Sequence, residues 1–220
     1  MATWVTHFRV AERLLADGLE ADKEAFAIGN IGPDCSYLSS DGEELIPSKK
    51  ITHYIVDNQI DTESLYSLYL ADVNLSTLNP EQSFYLGYYV HLICDLAWHK
   101  WHNKKKQESL YQEIIDRPEY QYVIREDWYG IDFQYLKRNQ DHIFWSLFQH
   151  IQSCPDYMAY YEAGQIMKQI RRIQKFYLTN TIADDHEFKY VTMSEVEQFV
   201  EDTVQEIQSL FDERFAATKV

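Results

Sequence analysis

Residues 80–103 constrain this chain more than any other stretch. Asn79-Pro80-Glu81 supplies an N-cap residue, a proline suited to the first helical position and an acid in the first turn, so a long helix is expected to open there. Its body, Gly87-Tyr-Tyr-Val-His91-Leu-Ile-Cys-Asp95-Leu-Ala-Trp-His99-Lys-Trp-His102, is apolar nearly all round. A helix of that kind has to be covered on every side, which makes it the centre of whatever forms around it.

Four polar residues interrupt the apolar run. At about 100° per residue, with His91 as zero, Asp95 falls near 40°, His99 near 80° and His102 near 20°, so all four share one face. His91 and Asp95 are one turn apart, roughly 6 Å along the axis, a spacing at which an imidazole nitrogen and a carboxylate oxygen can grip one ion. The second oxygen of Asp95 leaves room for another ion, held by His99 or by a group from a different helix. An isolated H-x3-D pair is more often a surface hydrogen bond or ion pair. Here the surroundings Tyr88, Tyr89, Leu92, Ile93, Leu96 and Trp98 point to burial, where an unpaired acid is costly.

The rest of the chain reads as helical too. Apolar positions recur with helical spacing at 4–15, where Trp4, Phe8, Ala11, Leu14 and Leu15 form a stripe that Thr3 can cap and His7 borders. Further patterns lie at 62–72, 107–116, 126–151, 155–178 and 193–216, the last opened by Ser194-x-x-Glu197 or Thr192-x-x-Glu195. With 7 Gly and 5 Pro against 17 Tyr, 11 Phe and 5 Trp, loop punctuation is scarce except between 28 and 48. That segment is expected to be long and irregular, the kind of loop that often carries function. No strand pattern, repeat or linker competes, so one all-α multi-helix bundle spanning 1–220 is the expectation.

Composition removes several function classes. The net charge of -15 repels a phosphate polymer and argues against general nucleic-acid binding. Three cysteines, Cys35, Cys94 and Cys154, are an odd number without a C-x2-C pair, so reduced thiols are expected and a thiolate zinc site is not. The start lacks a basic n-region followed by an apolar one, and no apolar run approaches the roughly 18–20 residues that span a bilayer; a cytoplasmic protein without a transmembrane segment is expected. Lys104-Lys105-Lys106 suits the negative end of the 80–103 helix and is read as a solvated helix end. The aromatic surplus is read as core.

Four pieces occur in order: His7 within Thr-Trp-Val-Thr-His-Phe, Gly29-Asn-Ile-Gly-Pro-Asp34, Thr52-His53-Tyr54, and Gly87-Tyr-Tyr-Val-His91-Leu-Ile-Cys-Asp95. Together they resemble the zinc-dependent phospholipase C family over roughly the first 100 residues. The resemblance implies an all-helical fold and a cluster of metal ions held by His7, Asp34, His53, His91 and Asp95. Asp34 would be a ligand or the base that orients a water, and Asp95 would share the catalytic centre. Downstream, where the family has another His and an H-x3-E pair, this chain offers His99 and His102, then Asp127, Asp132 and Asp141-His142. One or two ions are therefore expected rather than three. Zinc is implied, although mixed imidazole and carboxylate ligands also suit iron, manganese or nickel. The expected activity is hydrolysis of small phosphoric esters or lipid head groups by a metal-activated water. A nucleotide phosphohydrolase, or a helical binding module with a structural metal, is the alternative, and the oligomeric state is not legible in the sequence.

Overall fold

The computed structural model of the chain describes residues 1–215. Ten α-helices dominate them: α1 (Trp4–Ala16), α2 (Lys23–Gly29), α3 (Lys49–Thr52), α4 (Thr62–Tyr69), α5 (Pro80–Lys105), α6 (Ser109–Gln112), α7 (Tyr120–Arg138), α8 (Ile143–Ser146), α9 (Gln165–Thr179) and α10 (Met193–Phe215). The fold is all-α. Two antiparallel pairs, β1 (Tyr37–Leu38) with β2 (Leu45–Ile46) and β3 (Ile55–Val56) with β4 (Gln59–Ile60), are only two residues per strand.

α5 is the axis. Asn79 and Gln82 close a reciprocal capping box with bonds of 2.9 and 3.0 Å, and Pro80 occupies the first turn, where its missing N–H costs nothing. From Phe84 to Asp95 every residue but Tyr85 is buried, because α1, α2, α4 and α10 all pack on this one helix. α2 comes closest. A Cβ on Gly29 would stand 2.1 Å from the Phe84 carbonyl oxygen, and one on Gly87 would stand 2.2 Å from that of Phe26. Two glycines thus let the backbones touch, and the chain leaving α2 is delivered directly against the polar face of α5.

Other boundaries follow from local chemistry. Thr3 caps α1 through its side chain, and Thr192 with Glu195, rather than Ser194 with Glu197, makes the reciprocal bonds ahead of α10. The pattern at 126–151 is two helices: Asn139 bonds back to the Tyr135 carbonyl and ends α7, and His142 accepts from the Phe144 amide to start α8. The pattern at 155–178 begins as a helix only at Gln165, after Gly164 takes a left-handed turn at φ 73°. The 107–116 pattern shortens to α6. α2 lies in a stretch with no apolar period to announce it. Residue 216, the last of the final expected helix, lies outside the described residues.

The large side chains fill the core: Trp98, Tyr88, Tyr89, Tyr111, Phe8 and Phe26 are among the largest fully buried ones. Lys105 is buried rather than solvated, held by Glu108 and Glu195 at 2.7 Å each. No helix among the described residues is long and apolar enough to cross a membrane.

Candidate metal centre

His91 and Asp95 project from α5 where α1, the end of α2 and the His53 turn converge. α1 contributes His7, the short 3₁₀ turn Gly32–Asp34 contributes Asp34, and the residue after α3 contributes His53. All five side chains meet. His7 Nε2 lies 3.5 Å from Asp95 Oδ1; His91 Nε2 and His53 Nε2 lie 3.5 and 3.6 Å from Asp95 Oδ2; His53 Nε2 is also 3.7 Å from Asp34 Oδ1. The His7 and His91 rings stack at 3.8 Å, and His53 stands edge-on to His91 at 5.6 Å. The donor atoms of His7, His91 and Asp95 fall within 4.8 Å of one another, as do those of Asp34, His53 and His91.

These separations are too long for good hydrogen bonds. They match the edge of a coordination polyhedron, since two ligands bonded at about 2.0 Å at a tetrahedral angle stand about 3.3 Å apart. His7 Nδ1 and Nε2, His53 Nε2, His91 Nε2 and Asp95 Oδ2 are all buried without a hydrogen-bond partner. Buried polar atoms are rarely left so, and a cluster of them aimed at one another is the signature of a cation site.

The outer contacts orient the donors. The Asn30 carbonyl sits 2.8 Å from His91 Nδ1, which places the ring proton there and leaves Nε2 free as a donor to metal. Thr52 Oγ1 is 3.0 Å from His53 Nδ1. The Ala2 amide donates to Asp95 Oδ1 at 3.0 Å, and the Trp4 indole N–H donates to Asp34 Oδ2 at 3.0 Å. Asp34 retains 11% side-chain exposure against 0–3% for the other four, so the cluster opens to solvent on its side.

The charges interlock. Burial alone would raise the Asp95 carboxyl, but the His91 charge and the neighbouring His53 and His7 rings outweigh it and hold it well below the usual carboxylate range. Burial and then His91 lower His7 to about 4, whereas the Asp95 carboxylate overcomes burial at His91 and raises it. Without an ion the pocket thus holds an anionic Asp95 and a neutral His7, protonation states that suit ligands, while a metal at His91 Nε2 has to displace the proton that Asp95 favours there.

The remaining candidates lie elsewhere. His99 is exposed and belongs to neither group, because its larger angular offset carries it off the buried face. His102 packs edge-on against Trp128 and Tyr111, 3.4 Å from the Tyr120 hydroxyl. Asp127 receives the amides of Lys189, Tyr190 and Val191 together with His186 at 3.0 Å, and so anchors a loop. Asp132 accepts from Thr3 and Tyr177 at 2.7 and 2.6 Å, with burial raising its carboxyl to about 7. His142 is a buried helix cap. Asn30, Thr52 and the Ala2 amide carried no sequence signal as outer contacts, because two of them act through the backbone and the third through a common hydroxyl.

Residues 6–210 match the family model described as zinc dependent phospholipase C. No curated protein and no solved structure matches the chain.

Proposed function

The chain belongs to the zinc-dependent phospholipase C family, and from that membership we propose that it is a metal-dependent hydrolase of phosphoric esters whose ligands are His7, Asp34, His53, His91 and Asp95. The observation that carries the reading is the set of orphaned imidazole nitrogens gathered about the Asp95 carboxylate. Two overlapping donor groups, one through His7 and one through Asp34 and His53, suit one or two ions. A bound zinc supplies positive charge to the phosphoryl oxygens and brings the pKa of a water near 7.

The protein's own side chains do the rest. Asp95, with oxygens facing both groups, neutralises the centre and is kept ionised by the three imidazoles. Asn30 and Thr52 fix the rings of His91 and His53. Asp34 stands at the open edge with one oxygen tied to Trp4; its other oxygen faces His53 and serves either as a ligand or, where the remaining donors hold the ion, as the base that orients a water and accepts its proton as oxygen attacks phosphorus. The ester P–O bond breaks, and the proton leaves with the departing alcohol. Trp4, whose indole is bonded to Asp34, stands at this edge, with Phe176 and Tyr177 packed on it at ring-centroid distances of 5.8 and 6.3 Å.

The test is turnover of a chromogenic phosphodiester by zinc-loaded protein, with elemental analysis of the same sample. Activity is expected to disappear with chelator, return with zinc, and fall at least a hundredfold in Asp34→Asn. Filled protein that hydrolyses neither diesters nor monoesters would leave a binding module with a structural metal.

A further inference from the structure

Among the described residues α9 is the one long helix whose charged residues are all positive. Lys168, Arg171, Arg172 and Lys175 are exposed on it, with no acid between Gln165 and Thr179, in a chain of net charge -15. Among the described residues none of the four has an ion-pair partner, which holds for Lys23, Lys49, Lys50 and Arg125 as well, so what sets α9 apart is the absence of an acid along the helix.

Two of these cations line a cavity. Lys168 and Arg172, one turn apart, face about 350 Å³ of space shared with Ser36, Tyr37, Glu162 and Gln169. Gln169 is only 6% exposed, yet its side-chain amide makes no hydrogen bond among the described residues. The side chain is packed, and its amide is reached from the cavity, where it offers an N–H to a ligand atom. The acid present, Glu162, accepts from the Tyr37 hydroxyl at 2.8 Å, and the Ser36 hydroxyl is turned to the Pro47 carbonyl at 2.8 Å. What remains for a ligand is an ammonium, a guanidinium and an amide N–H, with the second oxygen of Glu162 as the one anionic group on the wall, so two cations against one carboxylate favour an oxyanion.

One wall of the cavity, Cys35 and Ser36, follows Asp34 directly in the chain. Ser36 lies two residues beyond Asp34, a chain distance of at most about 7 Å. The wall is rigidly placed: the Gln165 amide donates to the carbonyls of Cys35 and Ile46 at 2.7 and 3.1 Å, and the Tyr161 hydroxyl donates to that of Gly32 at 2.7 Å. We propose that Lys168, Gln169 and Arg172 form an oxyanion subsite beside the metal centre, which takes a second phosphate on the substrate's head group. The subsite stands on its own geometry; its use for a head group rests on the hydrolase reading.

The experiment has two arms. Sulfate binding to zinc-loaded protein is measured by calorimetry at constant ionic strength for wild type, for K168A/R172A, and for R171A/K175A, which removes the same charge from the same helix outside the cavity. Saturable binding is expected in wild type, at least tenfold weaker in K168A/R172A and within twofold of wild type in R171A/K175A. No binding to wild type, an equal loss in both variants, or full retention in K168A/R172A overturns the subsite. In the second arm, short-chain soluble phospholipids with a phosphorylated inositol or a choline head group are compared as substrates. In K168A/R172A the KM for the former is expected to rise at least tenfold with kcat unchanged, and the choline ester to move less than twofold. Lost sulfate binding with both KM values unmoved would assign the subsite to free oxyanions and overturn its head-group role. If wild type hydrolyses neither ester, the head-group role of the subsite is overturned, the hydrolase reading is decided by the chromogenic esters, and the sulfate arm alone decides the subsite.

Discussion

Asp95 is the residue on which the site turns, because each of its oxygens faces a different set of donors. Oδ1 meets His7 and the Ala2 amide; Oδ2 meets His53 and His91. Asp95→Ala removes the charge that offsets the cation and frees three imidazoles at once, so metal content is expected to fall to the background of chelator-treated protein. His7→Ala takes a donor from one group only, and partial retention is expected, read by elemental analysis of both variants side by side. Retention of the wild-type content by Asp95→Ala would place the ion elsewhere. The helix face made part of this arrangement legible: His91 and Asp95 stand one turn apart, a spacing compatible with a shared ion, and the apolar residues around them marked the pair as buried. His7, Asp34 and His53 had no such geometric signal, being 84, 57 and 38 positions from His91 (91 - 7, 91 - 34 and 91 - 53); only the family resemblance joined them. His99 shows the limit of an angular argument, since a nominal offset cannot say where neighbouring helices stop covering a face.

The α2–α5 contact decides whether those distant side chains can meet. With Gly29 and Gly87 absent from either surface, the carbonyl oxygens of Phe84 and Phe26 would sit within 2.2 Å of a methyl group. Gly87→Ala therefore pushes α2 outward and withdraws both the Asn30 carbonyl from His91 and the Gly32–Asp34 turn from the cluster. A loss of about 3 kcal/mol or more is expected in denaturant unfolding, at the upper end of overpacking costs, together with weaker metal retention. An alanine at Gly18, where nothing lies within 4 Å, is the contrast: its φ of 104° makes backbone strain the whole effect, and metal content is expected to stay unchanged. Long elements with caps, α1 and α5 above all, were readable from sequence. The breaks at 139–142 and 155–164 were not, because the apolar period runs on while side chains such as Asn139 divert the backbone. α2 was hidden for the opposite reason: seven residues are too few to establish a period, and packing against α5 sustains it.

At the scale of the molecule, stability and acid are linked through groups that pull in opposite directions. His7, at about 4 rather than 6.5, is neutral in the fold while the unfolded chain binds a proton; between those values stability rises with pH, by up to ~3 kcal/mol for this one group. His102 and His142, lowered to about 4 and about 3, act in the same sense. Asp132, raised from 3.8 to about 7, keeps its proton longer when folded and contributes stability that is lost as pH rises through that window. In chelator-treated protein, His7→Gln is expected to flatten the rise of melting temperature from pH 4 to 6.5, and Asp132→Asn to steepen it. Identical slopes in wild type and both variants would contradict the assignment. Zinc adds to the melting temperature in proportion to the logarithm of its concentration over Kd, most above pH 6.5, where protons no longer compete for the imidazoles. The indole of Trp4, bonded to Asp34 and packed on Phe176, gives the protein one more property. Its ring is an ultraviolet chromophore, one of five indoles in the chain, so a change of charge at Asp34 is expected to appear in the difference between the emission of wild type and of Trp4→Phe, an optical readout of the centre that needs no dye or label.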